Sequence, residues 1–162
     1  MVELKEKYFS DVSLKDLRTA IGAAILCRLS ARLLSRAAKR SRNFQLIRKL
    51  SETAQQREQI SEQLIPKEEL SKPVIENVIE AFSEEAAAYG KLENHLHSDR
   101  ENPIDEAWVE GFHQADQEVL RSLRSATWKV EEQSLATQLS SLIASYRLSS
   151  ERLHRNYIGE FC

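Results

Sequence analysis

The sequence predicts an all-α protein, a single domain over residues 1–162 built as a bundle of long antiparallel helices. Three observations carry this. The 162 residues include only four glycines and three prolines, so the chain has few places to turn and the many short strands of an all-β fold are disfavoured. Apolar residues recur at spacings of three and four along uninterrupted segments, the period of a helix with one buried face. With 41% hydrophobic and 30% charged residues, the chain is apolar enough to build a core without disulfide or metal staples and too charged for a membrane span.

About five helices follow. Ser13 with Asp16 three residues on resembles a capping box, and Leu14 to about Arg40 contains one glycine and no proline, which predicts the first helix. Ser41, Arg42 and Asn43 interrupt it. Phe44, Ile47, Leu50, Ala54, Ser61 and Leu64 then share one face of a second helix that stops before Pro66, because the residue before proline is pushed out of helical geometry. After a connector over Lys67–Lys72, Pro73 suits a first helical turn, and Ile75, Val78, Phe82, Tyr89, Leu92 and Leu96 stripe a third helix ending near His97. Asn102-Pro103-Ile104-Asp105 supplies a cap, a first-turn proline and an acid for the helix dipole. Ile104, Trp108, Phe112, Ala115, Val119, Ser122 and Ala126 continue it as the buried face of a fourth helix. Leu135, Leu139, Leu142, Tyr146, Leu153 and Tyr157 do the same for a fifth, which Gly159 can end in a left-handed cap. Thr127 to Ser134 holds neither glycine nor proline, and the boundary between these two falls near Trp128–Glu132. The whole reads as two helical hairpins joined by a helical crossover.

Charge and special residues exclude several classes. A net charge of −2 and a pI near 6.1 give no global electrostatic reason to bind nucleic acid or anionic lipid. Cys27, in an apolar run, and Cys162 form neither a disulfide framework nor a zinc spacing. The charged stretch Met1–Ser10 lacks the apolar centre of a signal peptide, and no run approaches the roughly 18 apolar residues of a membrane helix. The expected location is cytoplasmic. No glycine-rich phosphate loop, nucleophile motif or Cys-x-x-Cys is present, so phosphoryl transfer and covalent hydrolysis lack their usual apparatus.

Ser13-Leu14-Lys15-Asp16-Leu17, Phe44 through Leu64, Asp105 through Ala126 and Leu142 through Ile158 resemble the four helices of an uncharacterised bacterial family of ferritin-like four-helix-bundle proteins. The resemblance implies a ferritin-like bundle with the third helix in the long crossover. The wider ferritin-like class carries inward glutamates on two helices and Glu-x-x-His on two others, because two iron or manganese ions need converging carboxylates and imidazoles. This chain departs from that pattern. Ile25 stands near the position expected for the first glutamate, and Ser51–Gln55 contains no histidine.

Two Glu-x-x-His matches exist elsewhere, Glu110 with His113 and Glu151 with His154. At about 100° per residue, Glu110 and His113 fall roughly 140° or more from the centre of the Trp108, Ala115, Val119 stripe, and Glu151 is similarly far from its own stripe with His154 on the flank. A solvated surface explains them; iron or manganese bound by the four is the alternative.

Arg28, Arg32, Arg36 and Arg40 follow one another at one-turn spacing along the line of Ile21 and Ile25. Three readings apply. The row is a solvated face whose stems cover apolar neighbours, or it packs against Glu76, Glu80 and Glu84 of the third helix, or it binds phosphate. Overall acidity and the lack of interleaved aromatic residues argue against the last, and so against nucleic acid. Arg57, Glu85 and Glu132 also fall near apolar stripes, and buried charges must be paired. In the paired reading, Arg32→Ala costs more than about 2 kcal/mol, between the values for exposed and buried pairs.

The function these observations point to is interaction: a non-catalytic ferritin-like bundle without cofactor, most simply a homodimer, with another protein as a possible partner. The alternative is a di-metal oxidoreductase or metal-storage protein using Glu110, His113, Glu151 and His154.

Overall fold

The computed structural model describes residues 2–98, 104 and 106–161, and among them there is helix and no strand. The helices are α1 (Val2–Tyr8), α2 (Leu14–Arg40), α3 (Phe44–Leu64), α4 (Lys72–Ile79), α5 (Ser83–Ser98), α6 (Glu106–Trp128) and α7 (Gln133–Phe161), with 3₁₀ turns at Lys67–Glu69 and Glu80–Phe82. The all-α bundle is the one the sequence predicts. The start signal at Ser13 works as read, its hydroxyl accepting from the Asp16 amide at 3.1 Å, and Asn43, named in the sequence only as part of an interruption, caps α3 through Gln45 and Leu46. The boundary predicted near Trp128–Glu132 is where α6 gives way to α7. The Asn102-Pro103 start signal, Asp105 and Cys162 lie outside the described residues.

Four features depart from the sequence reading. A short helix, α1, precedes the first predicted one, and Leu4, Phe9 and Val12 of this segment are buried. The third predicted helix is broken: α4 ends at Ile79, a 3₁₀ turn intervenes, and α5 starts at Ser83. That turn carries Phe82, whose ring lies so close to Gly22 of α2 that a Cβ there would meet it at 2.1 Å. Only glycine permits this approach. Gly159 does not end α7, which runs on to Phe161. Phe44, read as the first residue of the buried face of α3, is 87% exposed, because it opens the helix at the tip of the α2–α3 hairpin.

The long helices close into a ring in the order α2, α3, α7, α6, α5 and back to α2. Arg28 meets Glu62 across α2 and α3, Tyr89 meets Asp116 across α5 and α6, and Glu110 meets His154 across α6 and α7. These pairs run in opposite directions along their helices. A ring of odd number cannot alternate all the way round, and α2 and α5 are the parallel pair: Phe82, Glu93 and Leu96 meet Gly22, Arg36 and Arg40 in order. The crossover therefore does not lie outside a four-helix bundle. It enters as a fifth wall, since Phe82, Tyr89 and Leu96 carry an apolar face that needs burial.

α4 packs against α2, burying Val74 and Val78. On the line of α2 that holds Ile21, Ile25, Arg28, Arg32 and Arg36, the two isoleucines are buried, Arg28 is half-buried, and Arg32 and Arg36 are exposed. Arg40, one turn further along the same line, is half-buried again and donates to the Leu96 carbonyl of α5.

Candidate functional site

At the centre of the ring Arg57 of α3 is fully buried, with 0% exposure. Its partner is Asp116 of α6, also fully buried. Nη1 donates to Oδ1 at 2.9 Å and Nη2 to Oδ2 at 2.6 Å, the bidentate fork that a planar guanidinium forms with a carboxylate. The remaining nitrogen, Nε, donates to the Ser149 hydroxyl of α7 at 3.2 Å, and Ser149 donates to the Tyr146 carbonyl at 2.7 Å. Tyr89 of α5 donates to Asp116 Oδ1 at 2.6 Å. Its hydroxyl also contacts that of Tyr146. Tyr89 has one proton and gives it to Asp116, so Tyr146 is the donor to Tyr89. The guanidinium carbon lies 4.1 Å from the Tyr146 ring centroid and 5.2 Å from that of Phe112, within cation–π range. Phe112 stacks between Tyr89 and Trp108, with centroids 5.8 and 5.6 Å away.

Burial works against the Arg57 charge, but Asp116 outweighs it and the guanidinium is held charged, above its already high ordinary pKa. Burial, reinforced by the Asp116 charge, pushes the Tyr89 and Tyr146 hydroxyls well above the ordinary tyrosine range, Arg57 opposing it. Burial also pushes the Cys27 thiol of α2 up to about 12, leaving it a protonated, inert group at neutral pH. The cluster thus holds one cation and one anion, with phenols and a thiol that keep their protons. Its polar groups are spent on one another.

The other residues singled out in the sequence are dispersed. Arg57 is paired, as burial demands, with Asp116. Arg28 pairs with Glu62 of α3 at 2.7 Å and Arg36 with Glu93 of α5. Arg32 is exposed and makes no ion pair among the described residues; Glu76, Glu80 and Glu84 are likewise exposed and unpaired. Among the described residues no ion pair joins the arginine row to Glu76, Glu80 or Glu84; its ionic partners are Glu62 and Glu93. Glu85 is half-buried beside Lys15 and Thr19 in a surface groove of about 330 Å³. Glu132 caps α7, accepting from the Ser134 and Leu135 amides at 3.0 and 2.6 Å. The loop before it is tied to α2 by buried Asp16, which accepts from the Glu131 and Glu132 amides, each at 3.1 Å.

Glu110, His113 and His154 meet on the seam between α6 and α7, half-buried. Glu110 Oε2 contacts His154 Nε2 at 2.5 Å, His113 Nδ1 contacts the Ser150 hydroxyl at 3.2 Å, and the two imidazoles stack with centroids 4.0 Å apart and planes 15° apart. Glu151 is exposed and leans toward Arg147 at 3.8 Å. Burial, then the neighbouring His154, lowers the His113 pKa, against the opposing pull of Asp116, Glu110 and Glu151.

Neither place suits a pair of metal ions. The central cluster offers one carboxylate, already accepting three hydrogen bonds, beside a guanidinium that repels a second cation. On the seam, ring-nitrogen lone pairs lie in the ring planes, so two nearly parallel stacked imidazoles cannot aim at one ion. No group of three or more His, Cys, Asp or Glu among the described residues is arranged to hold a metal. No protein-family model, curated protein or solved structure matches the chain. Function is therefore argued from the site itself.

Sequence reasoning missed Asp116, the residue that organises the centre. The signal is present: Asp116 sits four residues after Phe112 and four before Leu120, both buried. A carboxylate in the middle of an apolar line is the mark of a buried partner for Arg57.

Proposed function

We propose that this protein works by binding another protein rather than by catalysis, as a ferritin-like helical bundle that assembles most simply as a homodimer. The observation that carries this reading is the closed centre. In a helical bundle, chemistry resides where side chains from facing helices converge, and here α3, α5, α6 and α7 converge on a mutually satisfied Arg57–Asp116–Tyr89–Tyr146 cluster. Interaction is further supported by large rings left in water. Trp128 is 89% exposed at the end of α6, next to half-buried Val130, and aromatic anchors are enriched in protein interfaces.

Sedimentation of the purified full chain over a wide concentration range tests this. The expected result is a reversible shift from one to two chains per particle as concentration rises. A particle of one chain throughout contradicts the homodimer. Elemental analysis showing about two equivalents of iron or manganese per chain contradicts the non-catalytic reading and favours the ferritin-like metal alternative.

A further inference from the structure

A surface cleft of about 330 Å³ opens where the start of α2, the turn between α4 and α5, and the end of α6 come together. Small-ligand pockets begin at about 300 Å³. Four charged residues line the cleft: Lys15 and Asp16 of α2, Glu85 of α5, and Lys129 just beyond α6. Asp16 is committed, because its Oδ2 accepts from the Glu131 and Glu132 amides. Lys15, Lys129 and half-buried Glu85 are not, since none of the three makes an ion pair among the described residues. Arg18, Glu84, Glu118 and Glu131, on the same segments, are exposed outside the lining. The uncommitted charges are sorted along the cleft. Phe82 is level with Gly22, and α2 and α5 run parallel. At about 1.5 Å of rise per residue, Lys15 stands roughly 10 Å to one side of that level and Glu85 roughly 5 Å to the other. Lys129 belongs to the Lys15 end, because its loop is tied to Asp16 two residues further on.

Unpaired charges of opposite sign at the two ends of one cleft call for a ligand that carries both. Between the ends lie the hydroxyls of Ser122 and Ser125, which make no hydrogen bond among the described residues, and the apolar surface of Ala81, Phe82 and Ala126. We infer that the cleft binds a small zwitterion, a free α-amino acid with an apolar side chain. Its carboxylate lies toward Lys15 and Lys129, its ammonium toward Glu85, and its side chain against Phe82 and Ala126. Two lysines suit one carboxylate, whose two oxygens can each accept a charge-assisted hydrogen bond. A purely anionic ligand would leave Glu85 unmatched, and a purely cationic one would leave both lysines unmatched, so the lining discriminates against each. This goes beyond the protein-binding role proposed above and does not depend on it.

NMR titration of the isotope-labelled full chain tests this with three matched probes: L-leucine, isocaproate, which lacks the ammonium, and isoamylamine, which lacks the carboxylate. Leucine should shift the amide signals of Thr19, Glu85 and Ser125. It should bind about tenfold or more tightly than either analogue, the scale of one charge-assisted hydrogen bond lost. Glu85→Gln should weaken leucine about tenfold and leave isocaproate bound as before or more tightly, the same scale applying. Lys15→Met with Lys129→Met should weaken leucine and isocaproate together. All three positions are exposed or half-buried, so the variants should keep the wild-type helical signal; if one does not, the three probes on the wild-type chain still decide. Leucine bound no more tightly than its analogues, binding that neither variant alters, or no shift with leucine at millimolar concentration overturns the zwitterion site and leaves the protein-binding role standing.

Discussion

Arg57 and Arg32 present one side chain in two settings. Arg57 lies at the middle of a five-helix ring, has no contact with water, and directs all three guanidinium nitrogens to fixed partners. Arg32 is exposed on α2 and makes no ion pair among the described residues. Arg57 falls on a face with Leu50, Ala54 and Leu64, and Arg32 on a line that starts with Ile21 and Ile25 and continues as arginines. The difference arises from cover: a helical line is buried only as far as another element lies over it, and a cation left beneath that cover must be paired.

The largest effect that sharpens this contrast is at the centre. Asp116→Ala strands the Arg57 charge in the core and should destabilise the protein by about 3 to 5 kcal/mol, measured by urea unfolding. A loss below about 1 kcal/mol, the value of an exposed pair, would show that water reaches the cluster. Next, Tyr89→Phe removes one hydrogen bond to Asp116 and the acceptor of the Tyr146 proton. Unmet buried polar groups cost about 1 to 3 kcal/mol, and thermal unfolding of this variant should register a loss in that range.

The His113–His154 stack, half-buried, should lie between the two extremes. The pKa of His113 is lower when folded than its ordinary value. Its contribution to stability is therefore complete above the ordinary histidine pKa and is lost as pH falls through the lowered one. Between about pH 7 and about pH 5, the wild-type melting temperature should fall more than that of His113→Asn. Equal falls would show that His113 is not held neutral by its surroundings. The smallest effect belongs to Arg32→Ala, expected to change stability by about 0 to 0.5 kcal/mol, as for surface substitutions in general. The sequence-based value was above about 2 kcal/mol; exposure of Arg32 reduces it, and a large loss would return the residue to the buried class.

Much of the fold could be read from local signals. Ser13 and Pro73 mark helix starts, and Trp108, Phe112, Val119, Leu139 and Tyr146 occupy the core positions their spacing assigns. What spacing cannot supply is the identity of the covering element. Phe44 fits the α3 stripe by period and is exposed because no described residue covers it at the hairpin tip. The break at Phe82 depends on its contact with Gly22, sixty residues earlier in the chain. At the centre, periodicity pointed to Arg57 near the core but gave no partner, because pairing across helices depends on how they are arranged. Tyr89 and Tyr146 were recognised as core residues; their hydroxyl chemistry emerged only once α5 was placed inside the ring. The helical angles put Glu110, His113 and His154 on a solvated surface, whereas the approach of α7 to α6 half-buries them together; ring stacking, which no spacing encodes, then turns the imidazole nitrogens away from a common point.

A double-mutant cycle on Arg57 and Asp116 tests most directly whether the centre is a paired framework. Arg57→Met and Asp116→Leu each leave one unpaired buried charge and should each cost about 3 to 5 kcal/mol in chemical denaturation. The double variant removes both charges and should cost clearly less than the sum, with a coupling energy of about 2 kcal/mol or more. Additive losses, with no coupling, would contradict a buried ion pair at the centre of the bundle.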